Sequence, residues 1–311
     1  MRPDSRSSGS RASYDLDMPA ARARRATVAT ASLTLVLLAC APVEEDAAQD
    51  EGSPETTAPA QDCAVLDLEL VTDGRLTVAT DDPAFEPYFV DGDPTNGQGF
   101  ESAVAYAVAE EMGFTADQVE WTTVKFNNSF QPGAKQFDFD INQISITPAR
   151  AQAVTFSQGY YSASQAIISL KDGPYGDATS LADLQDARLG AQIGTTSLEA
   201  IEAEIDPGNE PQVFNDTTAA KQALLNGQVD AIVADLPTAF YITAVEIPAA
   251  NVVGQFQVTS GKTEEFGLLL EKDNPLVTCV DAALTTLKED GTLEEIEQEW
   301  LSDAVDVPTL T

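Results

Sequence analysis

Between Phe137 and Tyr161 the chain reads FDFDINQISITPARAQAVTFSQGYY. Phe137, Phe139 and Ile141 alternate with Asp138, Asp140 and Asn142, the period of two that predicts a strand with two unlike faces. Pro148 cannot continue a central strand, and Thr147 before it predicts a helix N-cap with proline at the first helical position. Arg150 then falls in the first turn of a short helix, just past the carboxyl end of a strand. In open α/β sheets that is where ligands bind. A lone arginine beside Ser and Thr is ordinarily a surface residue, so its weight depends on what surrounds it.

The same alternation of signals runs along the chain. Arg75–Thr80 predicts a strand after the Asp73-Gly74 turn, and Asp81 to Phe89 is a proline-punctuated loop with three aromatics. Gly99 opens a helix to Met112 with Phe100, Val104 and Val108 on one face, and Gly113 stops it. Val119–Val124, Gln165–Leu170, Arg188–Ile193 and Phe266–Glu271 read as strands. Ser180 with Asp183 reads as a capping box. Gly194-Thr195-Thr196-Ser197 opens a helix carrying Leu198, Ile201 and Ile205. Its first N–H groups have no partner within the helix, which makes its start an anion seat as well as an ordinary cap. Helices follow at Thr218–Gly227, Pro275–Asp290 and Leu293–Leu301. Val229–Ala234 is apolar except for Asp230, the mark of a buried parallel strand. Asp235, at its end, is either a cap for the next helix or a ligand carboxylate. Strands alternating with helices give an α/β class.

Charge narrows the function. The 311 residues carry a formal net charge of −35, which repels phosphates and excludes a nucleic-acid role. There is no histidine, so His-based triads and His metal sites are excluded, and no metal or cofactor is expected. The N-terminus reads as a targeting segment. Arg22, Arg24 and Arg25 precede an apolar run from Ala26 to Ala39, too short to span a bilayer but suited to a signal peptide. Residues 1–39 are assigned to it, with Met18 an alternative start. The run ends Leu-Leu-Ala-Cys at Cys40, similar to a bacterial lipobox, which implies a lipidated Cys40; the alternative is an ordinary export signal with an incidental cysteine. Residues 40–62 are nearly devoid of apolar side chains and read as a disordered tether. Cys63 and Cys279 remain, and an even pair in an exported protein favours a disulfide over a metal site.

Ser145, Ile146, Thr147, Pro148, Arg150, Val154, Phe156, Ser157, Tyr160 and Tyr161 form S-I-T-P-x-R-x-x-x-V-x-F-S-x-x-Y-Y. This resembles the signature of the family 3 extracellular solute-binding proteins that feed polar amino acids to ABC importers. The resemblance extends in order from about Asp73 to Leu301. It implies a two-lobed periplasmic-binding-protein fold of type II, each lobe a mainly parallel sheet with flanking helices. Residues 66–161 plus 267–301 are then lobe one, 162–266 lobe two, and 302–311 a C-terminal tail. The lobes join near Ser162–Ile167, where Gln165–Leu170 crosses between them, and near Phe266. It further implies that Arg150, with the G-T-T motif at Thr195 and Thr196, meets a ligand carboxylate, Asp235 meets the amino group, and one aromatic, Phe85, faces the ligand. Ser145, Gln143, Asp81 and Phe126 complete the expected site.

The function so implied is capture of a free amino acid outside the membrane by a lipid-anchored monomer and its delivery to a membrane permease, with no catalysis. Two alternatives stay open: a cyclic-acid dehydratase of the same fold with Glu86 or Asp140 as its acid, and an extracytoplasmic amino-acid sensor. Asp81, Asp82, Glu86 and Asp140 would favour a cationic ligand, while Asn127, Asn128, Asn142 and Gln143 would equally favour a neutral amide. Around Lys125–Phe130 the chain departs from the usual helix start of its relatives, and Pro132-Gly133 follows, which leaves the ligand open.

Overall fold

The structure, a computed structural model, describes residues 63–65, 68–258, 264–301 and 307–311. The expectations for the leader, Cys40 and the tether, residues 1–62, lie outside them.

Two five-stranded sheets organise the described chain. The first has the order β2-β1-β3-β10-β4. In it β1 (Leu76–Thr80) pairs in parallel with β2 (Val119–Thr123) and β3 (Phe139–Asp140), while β10 (Glu264–Leu270) runs antiparallel to both β3 and β4 (Thr155–Ala163). The second has the order β7-β6-β8-β5-β9. There β6 (Leu189–Gln192) pairs in parallel with β7 (Gln212–Phe214) and β8 (Ala231–Asp235), and β5 (Gln165–Leu170) is antiparallel to β8 and β9 (Ala250–Phe256). Each lobe is therefore a mixed sheet: a parallel trio extended by antiparallel strands.

Lobe one packs α1 (Phe100–Glu111), α6 (Val277–Glu289) and α7 (Thr292–Leu301) on its sheet. Phe100, Val104 and Val108 of α1 meet Val280, Leu284 and Leu287 of α6 in one core with Leu76 and Val78. Cys63 is disulfide-bonded to Cys279, a buried residue of that core, across 216 residues of sequence.

Lobe two is covered on both faces, which is why its strands are continuously apolar. Ala166 and Ile168 of β5, with Ile232 and Ala234 of β8, pack towards α4 (Thr217–Leu225) and α5 (Leu236–Tyr241). Ile167, Ala231 and Val233 face the other way, against Ile201 and Ile205 beyond α3 (Thr196–Ala200).

Four expectations are corrected. The alternation Phe137 to Asn142 does not separate a wet face from a dry one: Asp138, Asp140 and Asn142 are as buried as their apolar neighbours, and β3 is only two residues long. Asp138 is buried because it accepts from the backbone N–H groups of Thr77 and Val71 at 2.6 and 2.8 Å, tying the start of β1. Second, Gln165–Leu170 lies wholly within sheet two, and the chain crosses at Ser164. Third, β10 pairs with β4 from Glu264 onward, opposite Ala163, so residues 264–266 belong to sheet one and the boundary drawn at 266 moves back.

The last correction concerns the end of the chain. Residues 307–311 are part of lobe two: Thr309 bridges to Gln255 beside β9, and Leu310 is buried against Ile167 and Val253. Gly254 makes this possible, because a Cβ there would stand 2.4 Å from Leu310 Cγ. The chain thus passes between the lobes a third time.

Candidate ligand-binding cleft

The loops that leave the carboxyl ends of the parallel strands converge on one cavity between the two sheets, as the topology of open α/β sheets requires. From lobe one come Asp81 and Phe85 after β1, Phe126 in α2 (Phe126–Ser129) after β2, and Asn142, Gln143 and Ser145 after β3. From lobe two come Gln192 at the end of β6 with Thr195, Thr196 and Ser197 after it, Thr217 after β7, and Asp235 and Thr238 at and after the end of β8. Eight of the nine residues singled out from sequence line this cavity. Arg150 does not.

Arg150 is buried beside the cavity at the start of a single 3-10 turn, Arg150–Gln152, not in a longer helix. The N-cap of that turn is Ala149, not Thr147, although the Thr147 hydroxyl accepts from the Arg150 backbone N–H at 3.2 Å. The guanidinium donates to the Ser145 carbonyl at 2.7 Å and, across the cleft, to the Gly194 carbonyl at 2.8 Å. It stands 4.8 Å from the Phe130 ring centre and 5.5 Å from that of Phe126. Two carbonyls and two aromatic faces fix this cation while leaving other N–H donors of its planar group unused.

Around it the lobes are in close apposition. Gly194 has φ of 75°, which favours glycine, and a Cβ there would stand 2.2 Å from Asn127 Oδ1 of the opposite lobe. Lys221 of α4 is buried over the Phe85 ring at 5.6 Å, its charge held by both oxygens of Glu246 at 2.6 and 2.7 Å.

Lobe two presents hydroxyls at helix starts. Thr195 caps α3 by accepting from the Leu198 N–H at 3.2 Å, and Asp216 caps α4 through Ala219. Asp235 ends β8 and accepts from the Gln165 amide at 2.9 Å. Burial, reinforced by Glu264, holds its carboxyl well above the usual range; the Gln165 hydrogen bond and Arg150 oppose the shift.

Lobe one is set from behind. Gln143 has φ of 49°, a left-handed conformation unusual for its type, and Glu101 at the start of α1 holds it there. The Gln143 backbone N–H donates to Glu101 at 2.6 Å; its side-chain amide and the Tyr160 hydroxyl donate to the same carboxylate. Burial pushes the Glu101 carboxyl up to about 7, with these three donors holding it back. Asp140, beneath the cleft, is driven well above its ordinary value by burial, with Glu101 and Asp81 adding to the shift and Ser129 and Lys135 opposing it. Neither Asp140 nor Glu86 lines the cavity. Asp81 does, bonded to the Phe126 N–H at 3.1 Å and paired with the exposed Lys125 at 3.0 Å.

Sequence reasoning missed Glu264 and Gln165. Glu264 accepts from Ser145 Oγ at 2.5 Å and from the Thr196 hydroxyl, and Gln165 donates to its other oxygen at 2.9 Å. No local signal marks either residue.

Residues 76–303 match the model of the bacterial extracellular solute-binding proteins, family 3, a span of more than two thirds of the sequence. The chain belongs to that family. Among its relatives, the L-cystine-binding protein TcyJ of Escherichia coli (strain K12) is 26% identical over 70% of this chain and 79% of its own length. The arginine-binding extracellular protein ArtP of Bacillus subtilis (strain 168) is 28% identical over 70% of this chain and 83% of its own. A solved structure of an ancestral arginine-binding protein bound to arginine superimposes with a TM-score of 0.61, at 28% identity, over 73% of this chain and 98% of that one. Among the described residues of this solute-binding protein, no helix is long and apolar enough to cross a membrane, and no group of acidic or sulfur side chains is arranged to hold a metal ion.

Proposed function

We propose that this solute-binding protein captures a free polar or charged amino acid outside the cell membrane and delivers it to the permease of an ABC importer, without transforming it. The observation that carries this reading is a cleft lined by the Asp235 carboxylate and the Thr195–Thr196 helix start, with the Arg150 guanidinium buried beside it and donating to Gly194. A zwitterion satisfies both. Its carboxylate takes the remaining Arg150 N–H groups, the hydroxyls of Ser145 and Thr196 and the first N–H groups of α3, while its ammonium donates to Asp235. Phe85, Phe126, Gln143 and Asp81 surround the side chain, whose identity the names of the relatives leave between arginine, cystine and others. Lipidation at Cys40 would tether a monomer to the outer face of the membrane, within reach of its permease.

The dehydratase alternative needs a proton-donating acid that touches the ligand. Its two candidates, Glu86 and Asp140, stand outside the cavity lining, so binding is the better reading. A thermal-shift screen of the twenty free amino acids, beside a turnover assay on cyclic acids, tests this. A raised melting point with at least one polar or charged amino acid, and no turnover, is expected. Turnover without any amino-acid shift would overturn it.

A further inference from the structure

Glu264 stands where the second crossing re-enters lobe one, as the first residue of β10. It is far in sequence from every group it binds. One carboxylate oxygen accepts from the hydroxyls of Ser145, on lobe one, and Thr196, on lobe two; the other accepts from the side-chain amide of Gln165, on lobe two, at 2.9 Å. The amide's orientation is determined by its partners. Gln165 is fully buried, its oxygen accepts from Ser197 Oγ at 2.6 Å, and its two N–H groups divide between Glu264 and Asp235. The carboxylate of Glu264 thus ties the lobes together through donors at the floor of the cleft.

Two of those donors, Ser145 and Thr196, are the hydroxyls assigned above to the carboxylate of the ligand. A carboxylate offered by the chain and one offered by a ligand cannot both be satisfied by the same two O–H groups, since each hydroxyl has a single proton to donate. We propose that Glu264 is an affinity-setting residue of the site: its side chain is an internal competitor for the ligand's carboxylate, holding the lobes together in the ligand-free protein and giving up Ser145 and Thr196 when a ligand enters. This inference rests on the amino-acid reading for the ligand half of the exchange; the latch between the lobes stands on the contacts alone.

The competition has a definite sign. Ligand binding exchanges the hydrogen bonds of one carboxylate for those of another, so the free energy held in the latch is subtracted from the apparent affinity. A residue that contacts ligand loses affinity when truncated; an internal competitor gains it. Charge works in the same direction: Glu264 raises the proton affinity of Asp235, so its displacement leaves Asp235 better able to ionise against an ammonium group.

Small-angle scattering of the ligand-free protein, with calorimetric titration of the amino acid that gives the largest thermal shift, tests this on Glu264→Ala. The expected result is a larger radius of gyration without ligand and an affinity about tenfold tighter. Thr196→Val provides a second variant away from the crossing: it removes the lobe-two hydroxyl, so it should also open the ligand-free form, yet it should weaken binding because the ligand loses a donor. An unchanged radius for both variants overturns the latch, and weaker binding by Glu264→Ala overturns the competition by making Glu264 a ligand contact. If no amino acid binds the wild-type protein, the functional reading fails, and scattering alone still decides whether Glu264 holds the lobes together.

Discussion

The two sides of the cleft are built by different means. Lobe one holds its surface from behind, with buried carboxyls: Glu101 fixes Gln143 and Tyr160, and Asp138 fixes the start of β1. Its frame is stapled by the Cys63–Cys279 disulfide. The described residues of lobe two hold no disulfide, although Asp230 ties the start of β6 by accepting from the Arg188 backbone N–H at 2.8 Å. Lobe two's lining of the cleft comes largely from helix starts, as at Thr195, which caps α3, and Thr196. Both sides bury acids, Glu101 and Asp138 on lobe one and Asp235 on lobe two, but those of lobe one hold backbone in place from behind the cleft while Asp235 stands in its lining. The protein's stability should therefore respond to chemistry on lobe one, and its ligand affinity to groups at the rim where the lobes meet.

The disulfide offers the largest separation of the two. Replacing Cys63 and Cys279 together by serine should cost about 2–5 kcal/mol, because the bond closes a very long loop of the unfolded chain. Denaturant melts of the double variant would read this, with ligand affinity unchanged so long as the protein stays folded.

Glu101 sharpens the comparison through pH. Its carboxyl titrates near 7 in the folded protein against an ordinary value of 4.5, so the folded state binds the extra proton between those values. Stability from this group is therefore greatest below pH 4.5 and falls as pH rises to 7, by about 3 kcal/mol at roughly 1.4 kcal/mol per unit. Glu101→Gln, which keeps the shape but cannot ionise, should flatten that part of the stability curve. A difference from wild type that does not vary with pH would show that Glu101 is not the titrating group.

A smaller effect belongs to lobe two. Burial and Glu264 push the Asp235 carboxyl well above the usual range, and an ammonium that pairs with its ionised form would draw it back down. Binding should release a fraction of a proton and strengthen as pH rises. Titrations in buffers of different ionisation heat would detect the release as a slope, and a flat response would remove Asp235 from contact with the ligand.

Much of this arrangement was legible along the sequence because it is local. The Gly194-Thr195-Thr196 start of α3, the carboxylate ending β8 and the Thr147-Pro148 turn before Arg150 each follow from neighbours a few residues away. The signature at Ser145–Tyr161 then pointed to the family that the residue 76–303 match shows. What was not legible depends on distant partners. Glu264 is one acid among 51, and it meets Ser145 across 119 residues of chain. Asp138 reads as solvent-facing because alternation cannot tell water from a backbone N–H that satisfies a carboxylate. Leu310 lies in a polar-looking tail whose buried slot exists only because Gly254 lacks a side chain.

In the proposed binding mode Asp235 receives the ligand's ammonium while Arg150, tied to both lobes beside the cavity, meets its carboxylate. Calorimetric titration of Asp235→Asn beside wild type, with melting points recorded for both, tests it most directly. Asparagine keeps the shape and an oxygen for Gln165 to bond, so the variant should melt no lower than wild type. Its affinity for the amino acid should fall tenfold or more, about 1.4 kcal/mol at least. An Asp235→Asn protein that binds the amino acid as tightly as wild type would contradict the account.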